Sequence, residues 1–204
     1  LYRKTQLNIY LLMAVIIVIA LVASIYNYTT ILNEYNNYKE RTYNQNMKIL
    51  FNLINELSTR YDWIIIRLEN MSIIGGDPVY SRTDREIILV SSMDADFISG
   101  LASDVALNND LHELSNALSN IQLASHMIHQ KMLVNEKQTF IVLLNDKDLL
   151  KSIINDLNTL WKQYRNFTTS GSIDENEVKR ISYELLKTSD KLVDDLDKIP
   201  AIVK

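Results

Sequence analysis

The sequence predicts an all-α protein in which a single N-terminal transmembrane helix continues into an extracytoplasmic antiparallel bundle of about four or five helices. Three observations predict it. The 204 residues include only four Gly and two Pro, too few for the many turns of a β-sandwich or a doubly wound sheet but enough for the breaks between long helices. No charged residue stands between Lys4 and Glu34. Beyond that run, apolar residues recur at helical spacing almost to the end of the chain.

The anchor comes first. Residues 9–26 read IYLLMAVIIVIALVASIY and span roughly 27 Å as a helix, close to the hydrocarbon thickness of a bilayer. About eleven Leu, Ile and Val side chains favour insertion by some 3–6 kcal/mol. Tyr10 on one side and Tyr26 with Tyr28 on the other suit the two interfaces, giving a span over residues 7–28. Arg3, Lys4 and the Val22-Ala23-Ser24 stretch also fit a secretory signal. The apolar run is longer than the usual signal core of about 7–15 residues, so a retained anchor is expected. Arg3 and Lys4 precede the span, which makes residues 1–6 a cytoplasmic stub and residues 29–204 extracytoplasmic, on the cell membrane.

Tyr43, Met47, Leu50, Ile54, Leu57, Tyr61, Ile64, Leu68 and Met71 repeat at alternating spacings of four and three. That heptad seam predicts a helix over about residues 29–74, continuous with the anchor and stopped by Gly75, Gly76, Asp77 and Pro78. Thr83 or Asp84 can cap a second helix, over about 84–107, whose apolar side is Val90, Met93, Phe97, Leu101 and Val105. A third helix, about 110–144, follows Asn108-Asn109-Asp110 and carries Leu111, Leu114, Leu118, Ile121, Ser125, Ile128 and Met132. A register slip at Asn145 and Asp146 starts a fourth, about 146–168, with Leu150, Ile153, Leu157, Leu160, Tyr164 and Phe167. Gly171 turns the chain into the last, about 174–198, with Val178, Ile181, Leu185, Thr188, Leu192 and Leu196, which ends before Pro200.

Composition narrows function. The net charge of -4 and pI near 5.4 leave no clustered basic surface for nucleic acid. The absence of Cys excludes disulfides and every thiolate-held metal. No phosphate loop, nucleophile elbow or paired-His metalloprotease motif occurs, so catalysis by this chain is not expected. The one candidate metal pair is His126 and His129, a helical turn apart beside Met127 and Met132, donors that suit copper or zinc. In the heptad register of the third helix both fall away from the seam, so two solvated surface histidines are the simpler expectation. His112 lies about 21 Å along the same helix and cannot join them within one chain. Asp94, Asp96 and Gly100 do not make a calcium loop, because Gly comes one place late and Ile98 replaces an oxygen ligand. Asn27, Asn70 and Asn166 head glycosylation triplets at the frequency chance provides.

The layout, an apolar span running into a long helix and an amphipathic bundle, resembles the ectodomains of chemoreceptors and sensor kinases. That resemblance implies ligand sensing. Such receptors return through a second span to a signalling module, and no second run of comparable apolarity occurs in these 204 residues. The expected function is therefore a non-catalytic single-span accessory subunit of a larger membrane complex, of which respiratory and monooxygenase-type assemblies are examples. Its anchor would sit in the lipid bilayer and its bundle would pack on integral membrane subunits through helix–helix association. An anchored cell-envelope scaffold is the third possibility.

Overall fold

The computed structural model describes residues 2–75, 77–170 and 173–200, with side chains from Leu12 onward. The turn residues Gly76 and Gly171 and the side chains of Arg3, Lys4 and Tyr10 lie outside the described residues. The elements are α1 (Tyr2–Glu69), β1 (Ser72–Ile74), β2 (Asp77–Val79), α2 (Arg82–Leu107), α3 (His112–Asn145), α4 (Lys147–Ser170) and α5 (Glu175–Asp197). They fall into two units, Leu1–Gln45 and Asn46–Lys204, the first consisting of the N-terminal part of α1.

In the first unit every described side chain through Arg41 is exposed. Its residues 12–26 are apolar nearly all round the helix rather than along one stripe, and α1 is long and apolar enough to be a membrane span or a signal sequence. The Thr29 and Thr30 hydroxyls both donate to the Tyr26 carbonyl, at 2.8 and 2.9 Å, so neither needs an outside partner.

The second unit is an up-and-down bundle in which successive long helices reverse direction. Arg67 meets Asp84 and Arg60 meets Asp94, at 3.3 and 3.5 Å, which sets α1 antiparallel to α2. Ser103 bonds Ser115 and Ser119 while Asp96 bonds His126, so α2 is antiparallel to α3. Phe51 stacks on Tyr164, Ser58 donates to Asn158, and Glu69 pairs with Lys151, running α4 down along α1. α5 lies between α3 and α4 and is parallel to α3. Lys131, from α3, donates to the Leu196 and Ile199 carbonyls at 2.5 and 2.9 Å, placing a cation on carbonyls left without helical partners where α5 ends.

The seam of α1 forms the middle of the core. Met47, Leu50, Ile54, Leu57, Tyr61, Ile64 and Leu68 are all buried, Met71 is partly buried and Tyr43 is exposed. The buried members of the α3, α4 and α5 seams meet them: Leu118, Ile121 and Ile128; Leu150, Leu157 and Leu160; Ile181, Leu185 and Leu192. This seam is covered by the chain's own helices, not offered to a partner.

The second helix departs from the sequence reading. Val90, Met93, Phe97 and Leu101 point outward, Phe97 being 67% exposed. The face turned inward is Ile88, Ser91, Ser92, Ala95, Ser99, Ala102, Ser103 and Ala106. Small side chains let α2 and α3 pack in extensive contact, and a large side chain would hold them apart. Hydroxyls on this face are served internally: Ser92 donates to the Leu89 carbonyl, Ser99 to Ala95, and Ser103 meets Ser115 and Ser119.

Boundaries differ too. The first helix ends at Glu69 rather than near residue 74, and Ser72–Ile74 pairs antiparallel with Asp77–Val79. Gly75 turns that hairpin with φ of 63°, a conformation that costs glycine nothing. The hairpin is tied down by an Asp77–Lys137 ion pair, and Tyr80 beside it packs on Phe140. Ser81, not Thr83 or Asp84, caps α2: its hydroxyl accepts from the Asp84 backbone N–H at 3.0 Å. Asn108–Asp110 forms a tight turn with Asp110 at φ 60°. α3 carries a kink at Asn135 that the periodicity did not announce, and it ends against Asp146 as the register slip indicated. Asp174 caps α5, accepting from the Asn176 and Glu177 backbone N–H groups.

Candidate functional site

The close α2–α3 packing brings together side chains that the sequence keeps apart. Asp96 lies midway along α2, and His126 and His129 one turn apart on α3 face it. His126 Nδ1 stands 2.9 Å from Asp96 Oδ2 and His129 Nδ1 stands 4.0 Å from the same oxygen. The two imidazole rings meet edge to face with centroids 4.9 Å apart. One ligand atom from each residue lies within 4.8 Å of the other two. The His126 side chain is half exposed, whereas that of His129 is only 13% exposed. His129 Nδ1 lies 3.1 Å from the Ser125 carbonyl, to which it can donate. His112, the first residue of α3, is exposed and is not part of the group.

Behind the cluster lies a buried hydroxyl pair. Tyr61, fully buried on α1, places its oxygen 2.9 Å from Ser125 Oγ and 3.5 Å from the Ile121 carbonyl. Burial pushes the Tyr61 phenol well above its ordinary range, the Ser125 hydrogen bond opposes this, and the nearby Asp96 charge adds to it. It stays neutral and serves as a hydrogen-bonded core residue.

Two grooves run beside α2, and one of them borders the cluster. A groove of about 510 Å³ beside Asp96 is lined by Met93, Asp96, Phe97, Gly100, Leu101, Asp104 and Gln122. Gly100 belongs to this helix contact, since a β-carbon there would lie 2.7 Å from Gln122 Nε2. A second, apolar cleft of about 340 Å³ lies between Trp63, Ile66, Arg67 and Ile87. Residues 87–107 carry Asp94, Asp96 and Asp104 and no Lys or Arg, so the outward apolar stripe of α2 is rimmed by carboxylates.

A separate perturbed carboxylate sits between α4 and α5. Asp156 is buried, its Oδ2 has no hydrogen-bond partner, and burial with the charge of Glu184 raises its pKa from 3.8 to about 6 against the pull of Arg180. Asp94 lies within the helix and pairs with Arg60, which leaves no calcium loop there. Sequence reasoning found the two histidines through their spacing and missed Asp96 as their partner. No known protein family, curated protein or solved structure matches this chain.

Proposed function

We propose that the protein is a non-catalytic accessory subunit of a larger membrane complex, held in the bilayer by its N-terminal span, with the bundle packed on the extracytoplasmic side of partner subunits. The observation that carries this reading is the outward stripe Val90, Met93, Phe97 and Leu101, each 42–67% exposed along one face of α2. Exposed Trp63 and Ile66 on α1 add to it beside the neighbouring cleft. A contiguous row of large apolar side chains on a helix marks an interaction surface, while single exposed apolar residues do not. Of the carboxylates beside the stripe, Asp94 is matched by Arg60 and Asp96 by the two histidines, which leaves the exposed Asp104 to meet a basic group of a partner helix. The span is supported by the apolar, unburied first part of α1, and its orientation by Arg3 and Lys4 ahead of it.

A second reading, a ligand-sensing ectodomain, draws support from the polar-rimmed groove beside Asp96. Detergent extraction of the full chain from its native membrane, followed by size measurement and mass spectrometry, separates the two. An accessory subunit copurifies with unrelated integral membrane proteins in fixed ratio. A homodimer without other subunits would favour the sensor, and recovery as a monomer from the soluble fraction would overturn both.

A further inference from the structure

We infer that Asp96, His126 and His129 form a site for a divalent transition metal ion, of the zinc or copper class, that clips α2 to α3. Two imidazoles and one carboxylate are a sufficient protein ligand set for such an ion, with a remaining position open to water or to a donor from elsewhere. The geometry supports the assignment in three ways. First, the donors come from two helices whose backbones are drawn close by Ala95, Ser99, Ala124 and Ser125, all buried at the contact. Helical positions hold ligands more rigidly than loops do.

Second, Asp96 meets no Lys or Arg among the described residues; its ion-pair partners are the two histidines alone. The other carboxylates at the α1–α2 contact, Asp84 and Asp94, are each matched by an arginine. A carboxylate whose side chain is only 22% exposed and has no permanent cation beside it is a place where a metal ion supplies the missing charge. Third, the Ser125 carbonyl 3.1 Å from His129 Nδ1 can hold that nitrogen's proton and so orient the ring as a backbone carbonyl orients a ligating imidazole; Nε2 is then the ligand atom and must turn toward Asp96, Nδ1 being the nitrogen now 4.0 Å from its carboxylate. The 4.8 Å spread of ligand atoms must contract toward the roughly 3.4 Å expected for donors about 2.1 Å from a tetrahedral ion. Rotation of the half-exposed His126 side chain is the least hindered way to do this.

The test is zinc titration of the full-length chain in detergent after chelator treatment, read by calorimetry and by the thermal unfolding midpoint. The wild type is expected to bind one zinc ion per chain and to unfold at a higher temperature when loaded. Asp96→Asn, which keeps the side chain's shape, His126→Ala, on a half-exposed side chain, and His129→Ala should each weaken binding at least tenfold and abolish the metal-dependent rise, with metal-free midpoints near that of the wild type. His112→Ala should change neither readout. Equal binding by Asp96→Asn and wild type, equal loss in His112→Ala, or no binding by the wild type would overturn the assignment.

Discussion

Individual side chains carry costs that the folded bundle tolerates, and Asp156 is the clearest. Its carboxyl is buried at the α4–α5 contact, lacks a partner for one oxygen, and has its pKa raised from 3.8 to about 6. Well below pH 3.8 the group is protonated in both folded and unfolded chains. As pH rises from about 4 to 6 the unfolded chain releases the proton first, so stability falls through this window and levels off above it. The shift corresponds to roughly 3 kcal/mol at pH 7. Asp156→Asn is therefore expected to raise the unfolding midpoint at pH 7, with the gain fading toward pH 4; a gain independent of pH would show that charge burial is not its cause. The Asp96, His126 and His129 cluster shows how little of a site is legible at this scale. The spacing of His126 and His129 is visible in the sequence, but their meeting with Asp96 depends on the α2–α3 register, which no local pattern encodes.

At the scale of elements, the large apolar residues of α1, α3, α4 and α5 marked the buried faces, because Leu and Ile at spacings of three and four bury there. α2 reverses that logic: its small Ser and Ala residues face α3 and its large apolar residues face out. Hydrophobic periodicity weights size, whereas close helix packing selects smallness, so the larger stripe misled. The hairpin of Ser72–Ile74 and Asp77–Val79 was illegible for another reason, its strands being too short to show alternation. The two faces of α2 make opposite predictions. Phe97→Ala should change stability by less than about 1 kcal/mol and Leu57→Ala should cost about 2–5 kcal/mol. Ala102→Leu on the inward face should cost about 1–3 kcal/mol by overpacking. Denaturant titration of the three variants checks all of these, and a Phe97→Ala loss as large as that of Leu57→Ala would show that the stripe is buried in the folded chain.

For the whole molecule, the shortage of Gly and Pro and the periodic seams were enough to indicate an all-helical chain with one long apolar N-terminal helix. What the bundle does with its surface was not legible, because the most regular apolar pattern, the α1 seam, is consumed in the core. The outward α2 stripe is a contiguous apolar surface, and the proposed role as an accessory subunit rests there. The most direct measurement is site-specific photo-crosslinking in native membranes, with the reactive group placed at Phe97 and, as a control, at Tyr183, an exposed residue of α5. The account predicts crosslinks from Phe97, and none from Tyr183, to a different integral membrane protein. Crosslinks from Phe97 only to a second copy of this chain, or equal labelling from both positions, would contradict it.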